Sequence, residues 1–329
     1  MARSTDAAPP RSAGPPRLHE AHVSRSAPAL GAAQAVARLY QWPGLLLTLT
    51  AIFWAGNSVA GRLAVDQVSP MLLVFLRWLL VLAVMWPLYG RQVRGHWPQI
   101  RPQLLRIVLM AMLGLTGFNA LYYVAAHTTT AVNIGILQGS VPMIVLVAAF
   151  LTHGTRATLV QIAGVLVTAL GVIVVATQGM PLAILQIDLN SGDLIILVAC
   201  VLYALYTVAL RDRPRMSGAA FFTLLALISA VTSVPLVLAE AYVSGLSMPT
   251  WQGWLVTLYV AIFPSCLAQL LFLRGVDLIG PGRAGVFVNL VPVFSAILAV
   301  GLIAEPFAPF HAVALALVIG GIWLAERGR

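Results

Sequence analysis

"GPGRAGVFVNLVPVFSAILAVGLIAEPF", residues 280–307, admits two readings. Its first six residues carry the G-x-G-x-x-G spacing of a dinucleotide-binding turn. That turn works only between the end of a soluble strand and the N-terminus of a helix, where the glycines let a pyrophosphate approach the backbone. Here the residues after Gly285 run on as an apolar stretch to Ile303. About 20 apolar residues suffice to cross a bilayer as a helix. Pro281 suits a first helical turn, and Gly282 and Gly285 permit close helix approach. The stretch reads as the start of a membrane helix, so no nucleotide or other cofactor is expected.

The rest of the chain agrees. Of its 329 residues 60% are apolar and only 9% are charged, against about 25% charged in soluble domains. Apolar stretches of spanning length recur at 43–65, 70–90, 103–125, 129–151, 158–177, 191–210, 218–241, 253–273, 281–303 and 308–325. They are apolar nearly all round, without the alternation of barrel strands. The expected fold is an all-α membrane protein of ten helices. Residues 1–41, rich in Ala, Pro, Ser and Arg, are expected to form a disordered cytoplasmic tail. Cys200 and Cys266 fall within apolar stretches, form no C-x-x-C, and read as packing residues with no metal implied.

Arginine sets the expected direction. All 19 basic residues are arginines. All but Arg62 and Arg77 fall in the N-terminal tail, the even-numbered loops or the C-terminus. The positive-inside rule therefore places both termini in the cytoplasm, in a bacterial inner membrane by expectation. The basic excess is read as orientation, with no nucleic-acid partner.

The chain also repeats itself. "FWAGNSVAGR" (53–62) overlies "LYALYTVALR" (202–211) at an offset of 149, and Gly135, Pro142 and Gly171 overlie Gly285, Pro292 and Gly321 at 150. Each half holds five spans, and an odd number inverts the second half relative to the first. Expected boundaries are 42–178 for the first repeat, 179–192 for an external linker and 193–329 for the second repeat. Inverted repeats are a mark of secondary transporters, with the site at the repeat interface. GPGRAG then has a counterpart in "TAVNIG" (130–135), and a cofactor fingerprint would not recur at both.

With these motifs, and with "LRWLL" (76–80) and "GFNALYYVAAHTTTAVNIGILQGSVPMIVLVAAFL" (117–151), the chain resembles the EamA-type permeases of the drug/metabolite transporter superfamily over about residues 43–325. The second half carries that family's pattern in Pro292 and Glu305-Pro306. The first half departs from it in "HGTRAT" (153–158), where an acidic residue often follows the fourth span. The resemblance implies eight helices around a central cavity, with spans five and ten as outer supports. It also implies movement of small metabolites, among them aromatic and other amino acids.

Polar groups at bilayer depth are costly and often functional. The candidates for substrate binding are Asn57, Arg77, Trp78, Asn119, Tyr123, Gln138, Tyr203, Tyr206, Gln269 and Asn289. Each has a plainer alternative. The amides can bond across helices, the aromatics can be bulk, and Arg77 can snorkel to the outer interface. Its functional reading is a partner for a carboxylate or phosphate. Pro142 and Pro292, mid-span and equivalent, are expected kinks for gating. Gly164, Gly171, Gly320 and Gly321 are expected at helix contacts.

The function expected is a secondary transporter, an exporter or facilitator working by alternating access on small amphipathic metabolites, most of all amino acids. A multidrug efflux permease of the same fold and a non-transporting scaffold or receptor are the alternatives. An enzyme is not expected. "GNSVA" (56–60) only approaches a nucleophile elbow, and no histidine lies at mid-depth to serve Ser58. With no lysine in the chain, no ATP-binding P-loop can exist. The expected partners are a small-molecule solute and the lipid bilayer.

Overall fold

A computed structural model describes residues 40–154, 158–180 and 190–327. The N-terminal tail to residue 39 and linker residues 181–189 lie outside the described residues. Ten helices are long and apolar enough to span a membrane. They are α1 (Pro43–Ala64), α2 (Pro70–Gly95), α3 (Trp97–Ala125), α4 (Ala131–His153), α5 (Leu159–Ala176), α6 (Ser191–Asp212), α7 (Gly218–Val243), α8 (Trp251–Ile279), α9 (Pro281–Val288 and Val291–Ile303) and α10 (Pro309–Arg327). No strand occurs among the described residues. Large apolar side chains such as Leu166 and Leu238 are left bare on the outside, as a lipid solvent permits.

Local chemistry starts these helices where the sequence suggests. Proline occupies the first turn of α1 and of α2, where its missing N–H costs nothing. Thr130, Asn190, Ser217 and Thr250 cap α4, α6, α7 and α8 with a side-chain oxygen. Thr158 and Gln161 close a capping box on α5.

The packing repeats with the sequence. Helix α1 lies against α8 and α9, and α6 lies against α3 and α4. These sets interchange when the halves are exchanged. The remaining principal pairs, α2 with α7, α4 with α9 and α5 with α10, join equivalent helices. Small residues let α5 and α10 meet: a Cβ on Gly164 would lie 2.6 Å from the Gly321 carbonyl oxygen, and one on Gly171 2.9 Å from that of Ala314. Gly320 differs from expectation. It has open space around it, because it lies on the face of α10 turned away from α5.

Two irregularities also recur at equivalent places. Helix α3 widens to a π-helical stretch at Met112–Gly117, and α8 does so at Ala261–Leu267. Helices α4 and α9 each break, at Gly139–Ser140 and at Asn289–Leu290. The breaks fall just before Pro142 and Pro292. Each proline would clash with the carbonyl four residues earlier, so the helix stops and restarts with proline in its new first turn. Both second segments end in a left-handed residue, Gly154 (φ 62°) and Ala304 (φ 50°).

Candidate functional site

The sequence stretch "LRWLL" places Arg77 two turns into α2. There it does not snorkel. It is 7% exposed, and its guanidinium reaches three other helices. Nε donates to Ser265 Oγ of α8 at 2.8 Å. Nη1 donates to Asn119 Oδ1 and Tyr123 Oη of α3, each at 2.6 Å, and to Asn57 Oδ1 of α1 at 3.3 Å.

Each acceptor is held in that role by its own backbone or neighbour. Ser265 Oγ donates to the Val260 carbonyl at 2.6 Å, five residues back in the π-helical stretch. Asn119 Nδ2 donates to the Leu115 carbonyl at 2.6 Å, which fixes its amide with the oxygen toward Arg77. Tyr123 Oη donates onward to Asn57 Oδ1 at 3.3 Å. The π-helical stretches thus serve the site, as such stretches often do. In α8 the widening aims Ser265 at Arg77. In α3 it brings Gly114 against the Tyr206 ring, where a Cβ would collide. Pro264, which cannot donate an i−4 hydrogen bond, marks the stretch in α8; the stretch in α3 holds no proline.

Two features of this group matter chemically. Among the described residues no carboxylate bonds to Arg77, and all its partners are neutral. The second terminal nitrogen, Nη2, donates to no described residue. A buried guanidinium ordinarily seeks an anion, because desolvating an unpaired charge costs several kcal/mol. Neutral acceptors soften that cost and leave one edge of the fork available.

Aromatic rings extend from the group. Trp78 is buried, with its ring centroid 5.4 Å from Arg77 Cζ, and meets Phe222 edge-on at 6.2 Å. Tyr123 meets Tyr122 at 5.5 Å, Tyr122 meets Phe118 at 5.6 Å, Phe118 meets Tyr203 at 5.1 Å, and Tyr203 meets Tyr206 at 5.6 Å. This tract runs from the charged group toward α6.

Of the ten residues singled out from sequence, the structure gathers Asn57, Arg77, Trp78, Asn119 and Tyr123 directly, and Tyr203 and Tyr206 through the tract. Gln138 stands one step away, its amide within 3.5 Å of Tyr122 Oη and 3.4 Å of the Ile134 carbonyl. Gln269 is half-buried without a hydrogen-bond partner among the described residues. Asn289 is drawn elsewhere: at the break in α9 its amide donates to Glu326 of α10 at 3.0 Å. Among the described residues no cluster of His, Cys, Asp and Glu is suited to a metal.

A second polar region was not expected. It lies at the arginine-poor face, around the first turn of α4. Glu305, carried past the left-handed Ala304, accepts from the N–H groups of Ala131 and Val132 at 2.9 and 3.0 Å. Arg62 Nε lies 3.6 Å from Glu305 Oε1, and Arg62 also donates to the Ala126 carbonyl. Asp193 of α6 accepts from Thr129 and Asn133. His311 of α10 bonds to Asn133 Oδ1 at 3.0 Å. So α10 is not only a support. On the same face Glu240 accepts from the N–H groups of Met71 and Leu72, capping α2. An anionic cap at a helix N-terminus is favourable, and both glutamates come from the opposite repeat. The family pattern in Glu305-Pro306 could have pointed to one of them.

Ten spanning helices in two exchanged halves, closed around a buried guanidinium, define a membrane carrier. The comparisons with known proteins agree. Residues 41–177 and 190–326 each match the EamA-like transporter family, and the chain belongs to it. The uncharacterized transporter YetK of Bacillus subtilis (strain 168) is 27% identical over 277 residues, 82% of each chain. The uncharacterized transporter YyaM of the same organism is 27% identical over 232 residues, 69% of this chain and 75% of its own. An uncharacterized transporter of Archaeoglobus fulgidus is 26% identical over 288 residues. A solved crystal structure superimposes with a TM-score of 0.59 at 25% identity, covering 85% of this chain and 96% of its own. The protein is a multi-pass membrane transporter, not an enzyme.

Proposed function

We propose that the protein moves small amphipathic solutes bearing a carboxylate, amino acids above all, by alternating access between its two halves. Its place is the bacterial plasma membrane with both termini in the cytoplasm, and net flux is export or facilitated exchange. The observation that carries this reading is Arg77: a guanidinium 7% exposed, held by four neutral acceptors, with no carboxylate partner and one terminal nitrogen uncommitted among the described residues. A substrate carboxylate completes that fork, and the tract through Tyr123, Tyr122, Phe118 and Tyr203 offers apolar faces for a side chain. Pro142 and Pro292 set the helix breaks on which the halves bend. Gln138 and Gln269, unengaged or weakly engaged, are the adaptable polar contacts. Sugar phosphates fit less well, since Arg77 stands alone.

The test is flux in liposomes holding the pure protein, screened over the twenty amino acids, their uncharged amides and a set of cationic drugs. A hydrogen bond to a charged group is worth about 1.5–3 kcal/mol, so Arg77→Gln is expected to lower flux of carboxylate solutes roughly 10- to 100-fold. The amides should be affected much less. Equal loss for both sets contradicts the counter-ion role. Drug flux that survives Arg77→Ala points to a multidrug permease, and no flux with any solute points to a scaffold or receptor.

A further inference from the structure

Three titratable groups of the second repeat clasp the first turn of α4: Glu305, Asp193 and His311. They are not equivalent. Glu305 faces Arg62 and two backbone N–H groups. Asp193 is fully buried, and among the described residues its carboxylate bonds to no arginine or histidine. Its bonds are to Thr129 Oγ1 and to Asn133 Nδ2, the latter at 3.1 and 3.2 Å. The first turn of α6 lends it only partial charge.

The imidazole behind Asn133 is locked neutral. The Ala308 N–H donates to His311 Nδ1 at 2.9 Å, so the ring carries its proton on Nε2 and donates that to Asn133 Oδ1. Asn133 is thereby turned to present its NH2 group to Asp193. His127, on the loop before Thr129, is exposed, as is Asp66. Neither makes a hydrogen bond or ion pair with Asp193.

We propose that Asp193 is a proton-binding site that governs opening of the arginine-poor face. This rests on the transporter reading above. The exchange is a bare protonation: one carboxylate oxygen gains a proton from water on that face and returns it when the face closes again. A proton on Oδ2 removes one of the two Asn133 contacts and turns the bonds that Thr129 and Asn133 keep to Oδ1 from charge-assisted into neutral ones, so α4 is held less tightly to α6. Protonated Asp193 also loses the uncompensated charge that burial disfavours. The turn it releases is the one that Glu305 ties to α9, so protonation loosens the contact between the halves. By the arginine count that face is the outer one, and solute movement then responds to external proton concentration.

The test uses the full chain in lipid nanodiscs, with Cys200 and Cys266 replaced by alanine and spin labels at His127→Cys and Leu302→Cys. These exposed sites straddle the contact of α4 with α9, and the first substitution also removes the nearby imidazole. The readout is the distance distribution between the labels as pH is lowered, with the proton as the sole ligand. A longer-distance population should grow on acidification. Asp193→Asn, an isostere of the protonated acid, should hold that population at every pH. Asp193→Glu should keep the dependence with a displaced midpoint, which guards against a variant that fails to fold. An unchanged distribution in the parent protein, or the same pH dependence in Asp193→Asn, overturns the proposal. Neither result bears on solute flux in liposomes, so failure here and failure of the transporter reading are separable.

Discussion

The two faces of the molecule are built from equivalent helices and are tied in different ways. At the arginine-poor face the first segment of α4 is sealed: every residue from Ala131 to Leu137 is buried. A Cβ on Gly135 would collide with Ser295 of α9. Carboxylates from the second repeat, Glu240 and Glu305, cap α2 and α4. The loops interlock too, with Thr250 bonded to Gln67 and Ser247 to Ser69. At the arginine-rich face the equivalent segment of α9 is loose. Among residues 283–288 only Ala284 is buried, and Gly285, the counterpart of Gly135, has nothing within 4 Å. The positions equivalent to Glu240 and Glu305 are Gly90 and Thr155. A near-symmetric chain is thus closed at one end by acids it carries in only one half. Where those acids stand decides which face is sealed.

That comparison can be broken in several places. The largest expected effect is at Glu305. Glu305→Ala leaves two buried N–H groups without their carboxylate, and losing hydrogen bonding to a charged group costs about 1.5–3 kcal/mol. The sealed face should open roughly 10- to 100-fold more often, read as faster labelling of a cysteine placed at Ser295. Next come the paired glycines. Gly135→Ala forces apart two packed helices, and overpacking typically costs about 1–3 kcal/mol. Gly285→Ala meets no neighbour and should be neutral or stabilising by up to about 1 kcal/mol, since alanine favours a helix over glycine. Thermal unfolding of the two variants in one detergent checks the contrast.

Smaller effects sharpen it further. Ala304→Gly relieves a left-handed conformation that costs an L-residue about 1–2 kcal/mol, offset by glycine's freedom in the unfolded chain. A small net gain in melting temperature is expected. Smallest is Arg106→Ala. Its ion pair with Asp212 at 2.6 Å is solvent-exposed, and such pairs contribute little to stability. The same measurement should barely register it, whereas Arg62→Ala, beside the half-buried Glu305, should register clearly.

How much of this could be read from the sequence depends on range. The spans follow from apolar length, and the repeat from the registers of Gly135 with Gly285 and Pro142 with Pro292. Asn57 and Asn119 stand out as costly amides at depth, but their gathering with Tyr123 around Arg77, which enters its span at a shallower level, depends on helix packing that the sequence does not show. What escaped depended on partners far apart in the chain. Asn289 is at the expected depth, but its partner, Glu326, lies at the far end of α10. Ser265 faces Arg77 where α8 widens; Pro264 beside it breaks the regular ladder, but proline alone does not say that the helix widens there instead of kinking. Asp193 and His311 stand at helix ends, where polar residues are ordinary. Their burial comes from α4, whose first turn is packed between them.

One face of the molecule is sealed and its counterpart is not. In a cysteine-free background held in nanodiscs, where both faces meet the same solution, a membrane-impermeant thiol reagent should modify Gly285→Cys readily and Ser295→Cys slowly. Equal rates, or faster reaction at Ser295→Cys, would contradict the account.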